Sequence, residues 1–197
     1  MLHRVSLLLR PLLWLGLLII ARPLWASGIL LDPINLSIPE QVSHWRFTEA
    51  YTYPSPELGI SLTYKQDNMV LTLYAYDGGR KHVTTGHRSA EVRQQVAQAH
   101  GDVLALWEHG QVDRVEWIKT AKAETATDQC GPQFAHRQYH LVQGQARILD
   151  SHLYLTGSHN HFIKLRISYP LGTDQAEAEV DAFVTMLSKL LGGCSSV

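Results

Sequence analysis

The chain has 197 residues, a formal net charge of −1, 45% hydrophobic residues and 18% charged residues, a composition that fits a globular domain and excludes a disordered one. Near-neutral balance without a Lys/Arg stripe also excludes the electrostatic footprint of a nucleic-acid binder. Without an export segment at its start the chain would keep roughly 170 residues, enough for one domain with a real core.

The amino terminus has the layout of such a segment. Arg4 and Arg10 precede an apolar run over residues 12–21, followed by Pro23 and the small residues Ala26, Ser27 and Gly28, which is the order of a cleavable signal peptide. The apolar run is about half the roughly 20 residues that a membrane-crossing helix needs, so no stable membrane span is expected after cleavage. An uncleaved anchor is the alternative, because Arg22 and Leu24 fit a cleavage site imperfectly. We take residues 1–26 as a signal peptide and 27–197 as a single domain, placed in the periplasm or secreted. The two cysteines, Cys130 and Cys194, would then meet an oxidising compartment and are expected to form a disulfide; unpaired thiols or a redox pair are the alternatives, the latter disfavoured because the spacing is not Cys-x-x-Cys.

Residues 32–39, with Pro33 and Pro39, read as an extended, turn-rich lead-in. A short strand over 45–53 ends at Pro54 and Pro56. Ile60, Leu62 and Tyr64 then alternate with Ser61 and Thr63, and Asp67-Asn68 turns the chain into a second β-rich run over 69–76, so a hairpin is expected. Over 89–107 the period changes: Val92, Val96, Ala99, Val103 and Leu106 recur at helical spacing behind Ser89, a good cap, with Glu91 in the first turn. Gly101 marks a place where this helix bends or stops.

A strand is expected over 112–119 and a long polar loop over 120–133. Three strands follow, over 134–142, 146–155 and 161–169, joined by links short enough to make antiparallel neighbours. In the last of them His161, Ile163, Leu165, Ile167 and Tyr169 share the expected core face, and Phe162, Lys164, Arg166 and Ser168 the other. A closing helix over 174–191 has Val180, Phe183, Val184, Leu187 and Leu191 at core spacing, an Asp174/Glu177 capping box and Gly192-Gly193 behind it. The expected fold class is α+β: a single, mostly antiparallel sheet of about six to seven strands packed by two helices.

The segment Leu153-Tyr154-Leu155-Thr156-Gly157, then Phe162-Ile163-Lys164-Leu165-Arg166-Ile167-Ser168-Tyr169-Pro170 and a terminal helix, is similar to a pattern in exported bacterial proteins of unknown function. The order of strands and helices resembles the PsbP/Mog1-like α/β/α sandwich, a group with periplasmic and photosynthetic accessory proteins and a nuclear-import factor. The resemblance implies an accessory or binding role; it carries no site residues over to this chain.

The chain holds 11 histidines. His136 and His140 fall on one face of their strand, and His159 and His161 on one side if their strand begins early, which offers imidazoles for a zinc, copper or nickel site. Surface or hydrogen-bonded histidines are the competing reading, since a metal needs three or four convergent groups. Asp77-Gly78-Gly79-Arg80-Lys81 reads as a turn, lacking the spacing of a phosphate-binding loop. Ser61, Ser151 and Ser158 sit in no nucleophile elbow, and no motif calls for a cofactor. Trp45, Tyr51 and Tyr53 are either core or a docking patch. The leading expectation is an exported accessory protein, not an enzyme, that binds a partner protein of the cell envelope; the alternative is a small-ligand or transition-metal-binding module using clustered histidines, with a hydrolase a distant third.

Overall fold

The computed structural model describes residues 28–118, 130–144 and 147–194; the expected signal peptide and most of the expected 120–133 loop lie outside the described residues. In chain order the elements are β1 (Gly28–Leu31), β2 (Leu36–Pro39), β3 (Gln41–Val42), β4 (Trp45–Thr52), β5 (Ile60–Gln66), β6 (Met69–Tyr76), α1 (Ala90–Glu108), β7 (Arg114–Ile118), β8 (Ala135–Gln143), β9 (Arg147–Ser158), β10 (His161–Pro170) and α2 (Ala176–Leu191).

The class is α+β, but the sheet is larger than expected. Eight strands form one antiparallel sheet in the order β3-β4-β5-β6-β10-β9-β8-β7, and β1 and β2 form a separate two-stranded sheet. The difference lies at the amino-terminal end. The lead-in folds back on itself through a one-turn 3-10 helix over Asp32–Ile34, capped by Asn35 in the left-handed region, and two further residues, Gln41 and Val42, add an edge strand too short to leave a periodic signal.

β10 is central, between β6 and β9, and alternation assigns its side chains to two cores. Ile163, Leu165, Ile167 and Tyr169 face α2, whose Val180, Phe183, Val184 and Leu187 join β1, β2 and the inward residues of β5 and β6 in one cluster. Phe183 anchors it, with Trp45 and Tyr64 edge-on at 6.4 and 5.0 Å. Phe162 points the other way, into a smaller cluster where Val92, Val96, Ala99 and Val103 of α1 meet Tyr139, Leu153 and Leu155. So the core face of β10 is as expected from Ile163 to Tyr169, and its opposite face is covered in part.

Other local readings are borne out or corrected. Ser89 caps α1, accepting from the Val92 amide, and the helix runs through Gly101 to Glu108. The Asp174/Glu177 capping box does not form: α2 starts two residues later behind Gln175 in the left-handed region, with no side-chain cap, while Thr173 spends its hydroxyl on the Pro170 carbonyl. The β9–β10 link shrinks to His159-Asn160, both at positive φ, because β9 runs on to pair Ser158 with His161; this is a two-residue turn matched to sheet twist.

Cys130 and Cys194 are disulfide-bonded, with Cα atoms 6.4 Å apart. The bond ties the end of α2 to the segment entering β8. Gly131 makes it feasible: at φ 91°, a Cβ there would lie 1.8 Å from the Ser188 carbonyl oxygen, so only glycine lets the two backbones approach this closely.

Two stability changes follow. Cys130→Ser with Cys194→Ser opens a cross-link of 64 residues in sequence and should lower unfolding free energy by about 4 kcal/mol on the loop-entropy model. Phe183→Ala should cost about 3–5 kcal/mol by emptying the centre of the larger core. Urea unfolding measures both, and an unchanged midpoint for the double serine variant would show that the bond constrains nothing.

Candidate ligand cleft

The four histidines singled out from the sequence fall in two places. His136 and His140 do share a face of β8, opposite Tyr154 and Asp150 of β9. His159 sits in the β9–β10 turn, its ring bonded to the Ser158 hydroxyl at 2.9 Å, while the His161 ring meets the His159 carbonyl at 2.9 Å. Ser158 lies four residues beyond Tyr154, about 13 Å along a strand, so the two pairs do not converge. Among the described residues no three His, Cys, Asp or Glu side chains are grouped to hold a metal ion.

His136 instead enters a polar network that the sequence did not point to. Its Nε2 lies 3.0 Å from Nδ1 of buried His152, whose Nε2 lies 2.8 Å from the Tyr169 hydroxyl and 3.4 Å from Asp150. Gln138 donates to both Asp150 carboxylate oxygens at 2.9 and 3.0 Å. Burial by itself would raise the Asp150 pKa, but the bonds from His152 and Gln138 outweigh it and hold the carboxyl below its usual value. Every group of this network has a partner, which suits a structural role inside the sheet.

The opposite face holds a cleft of about 430 Å³. It follows from partial cover: α1 packs toward β7 and β9, leaving the outer face of β6 and β10 open between the helix and the 3-10 turn Pro56–Leu58. Tyr74, Tyr76 and Lys164 line it from the sheet, Gln95, Gln98 and Asp102 from α1, and Tyr53, Glu57 and Arg80 from the loops. Tyr74 and Lys164 are cross-strand partners, and the Lys164 ammonium lies 4.4 Å from the Tyr74 ring centroid and 5.3 Å from that of Tyr76.

Two features distinguish this cleft from an ordinary groove. Among the described residues Lys164 has no carboxylate within ion-pair distance; burial first, and the Arg166 charge second, pull its pKa down to about 8, against a weaker pull upward from Asp102. The Tyr76 hydroxyl is buried, in a residue 8% exposed, without a hydrogen-bond partner among the described residues. Gln95 lies near enough to favour its ionised form, but burial dominates and pushes the phenol well up. Arg166, two residues along β10, likewise has a buried Nε without a partner. A cation, a hydroxyl donor and two aromatic faces thus line one opening with hydrogen-bonding capacity unspent, which fits an oxyanion.

The remaining expectations resolve simply. Trp45 is buried, its indole N–H donating to the Glu179 carbonyl at 3.1 Å, so it joins no docking patch. Tyr51 and Tyr53 do stack edge-to-face at 4.9 Å, with Tyr51 49% exposed. Asp77 to Lys81 is a turn, Asp77 accepting from the Gly79 amide at 2.8 Å. A signal for the cleft did exist in the sequence: two cations, Lys164 and Arg166, alternate within an apolar strand, and Tyr74 and Tyr76 repeat with the same period in another.

No helix among the described residues is long and apolar enough to cross a membrane. No protein-family model and no curated protein matches the chain, so the reading of the cleft stands on its geometry. That reading carries a measurable consequence: after reductive ¹³C-methylation, one lysine resonance, absent in Lys164→Ala, should titrate near pH 8. A Lys164 midpoint above 10 would mean that the amine is solvated and the cleft is not as described.

Proposed function

We propose that this protein is an exported binding module, working outside the cytoplasm without turning a substrate over, and that its ligand is a small carboxylate held in the cleft over β6 and β10. The observation that carries the reading is the Tyr76 hydroxyl, buried without a hydrogen-bond partner among the described residues, beside the half-buried Lys164 ammonium in one partly enclosed space. Two tyrosine faces supply apolar contact, and Gln95, Gln98 and Asp102 along α1 offer polar groups for the rest of the ligand. The disulfide and the export-type amino terminus support an oxidising location.

A second reading, docking of an envelope protein, has one observation in its favour: Tyr51 and Leu58, each 49% exposed, stand beside the cleft mouth with Tyr53. Aromatic and apolar groups at such a rim are the usual anchors of an interface. The carboxylate reading is stronger because it accounts for the buried unpaired donors, which an exposed patch leaves unexplained. The histidine-based metal reading keeps no comparable support, as its two pairs stand apart along the sheet.

Calorimetry with short mono- and dicarboxylates, inorganic phosphate and neutral sugars decides among these. Carboxylates should bind, with affinity falling about 10- to 150-fold in Lys164→Ala, the value of a charge-assisted hydrogen bond, several-fold in Tyr76→Phe, and not at all in Lys65→Ala. Binding that is indifferent to Lys164→Ala, or no binding by any carboxylate, would rule the reading out.

A further inference from the structure

The same cleft holds groups that a plain carboxylate would not need. An arginine or a lysine of ordinary basicity suffices to hold a carboxylate, whereas Lys164 is withdrawn from water, placed over two aromatic rings and set two residues from another cation on the same strand face. Those are the surroundings that leave an amine neutral enough to be a nucleophile. The Tyr76 ring lies 5.3 Å from the ammonium, and its buried hydroxyl has no hydrogen-bond partner among the described residues. Arg166, below Lys164 on β10 and with an unpartnered Nε, supplies a fixed positive charge that does not depend on the lysine's protonation.

We propose that the ligand is a 2-oxo acid, whose carbonyl carbon Lys164 captures as a reversible imine while the cationic surroundings hold the carboxylate. This rests on the carboxylate reading and narrows it. The balance is internal: the neutral amine adds to the carbonyl carbon, the Tyr76 phenol protonates the oxygen to give a carbinolamine, and the nitrogen proton passes back to the phenolate. A second proton taken from nitrogen leaves with the hydroxyl as water as the C=N bond forms. No oxidant, reductant or further reactant enters. With Lys164 at about 8, about a tenth of the protein carries a neutral amine at pH 7, which is sufficient for capture at equilibrium.

The test uses pyruvate and lactate as probes, since they differ only in the carbonyl, with borohydride to reduce any imine to a stable secondary amine. Pyruvate with borohydride should add one reduced three-carbon acid to the purified protein, mapped by peptide mass spectrometry to Lys164, and lactate should add none. Lys164→Arg, which keeps the charge, should abolish the adduct, and Tyr76→Phe should slow its formation several-fold with the circular dichroism spectrum unchanged. No adduct, or one spread evenly over Lys65, Lys81 and Lys189, overturns the proposal. If pyruvate and lactate then bind equally by calorimetry, the carboxylate reading survives without the imine; if neither binds, both fall.

Discussion

β10 has a filled apolar core on its α2 face and only partial cover from α1 on the other, so its polar residues have one face open to them. From Ile163 to Tyr169 its α2-facing side chains are apolar apart from the Tyr169 hydroxyl, which bonds His152. Lys164 and Arg166 must therefore lie on the α1 face, where pairing with β6 and β9 fixes their height to within a residue. A one-residue slip would drive both cations into the larger core. The position of the charges in the cleft is thus a consequence of register, and the register is held by the hydrophobic face opposite.

That arrangement has an energetic cost which the fold offsets elsewhere. Displacing the Lys164 pKa from 10.5 to about 8 corresponds to a penalty on the order of 3 kcal/mol against the charged form. Cation–π contact with two tyrosines returns about 1–2 kcal/mol of stabilisation to the ammonium. The larger core, built around Phe183, Trp45 and Tyr64, and the Cys130–Cys194 cross-link give a small domain the reserve to carry an imperfectly satisfied site. Natural proteins place such local inconsistencies where they bind or react.

Much of the fold was legible in the sequence because its long elements have clean periods. β5, β6, β10 and α1 came within a residue or two of their bounds, and the Cys130–Cys194 pairing followed from compartment chemistry alone. What escaped was set by tertiary contacts. Two-residue β3 has no period to detect, and β9 extends through Ser158 because β10 offers it partners, which shortens the expected link to His159-Asn160. The start of α2 shifted because Gln175 adopts a left-handed conformation that no local preference predicts. The candidate site was missed for a related reason: Lys164 and Arg166 read as the solvent side of a strand, and only the placement of α1 over half of that face makes them half-buried.

Partial cover on each face also separates the two polar groupings by chemistry. On the α2 face the Asp150–His152–His136 network closes on itself, each donor meeting an acceptor, and a closed network rigidifies its sheet without soliciting a ligand. On the α1 face the Tyr76 hydroxyl and the Arg166 Nε lack partners among the described residues, and Lys164 has no carboxylate of those residues at ion-pair distance, because the helix supplies glutamines and one aspartate at the rim. An acceptor placed against Lys164 would restore its charge and raise its pKa. The missing counter-charge therefore does two things at once, keeping the amine weakly basic and leaving room for an oxyanion, and both follow from where α1 stops covering the sheet.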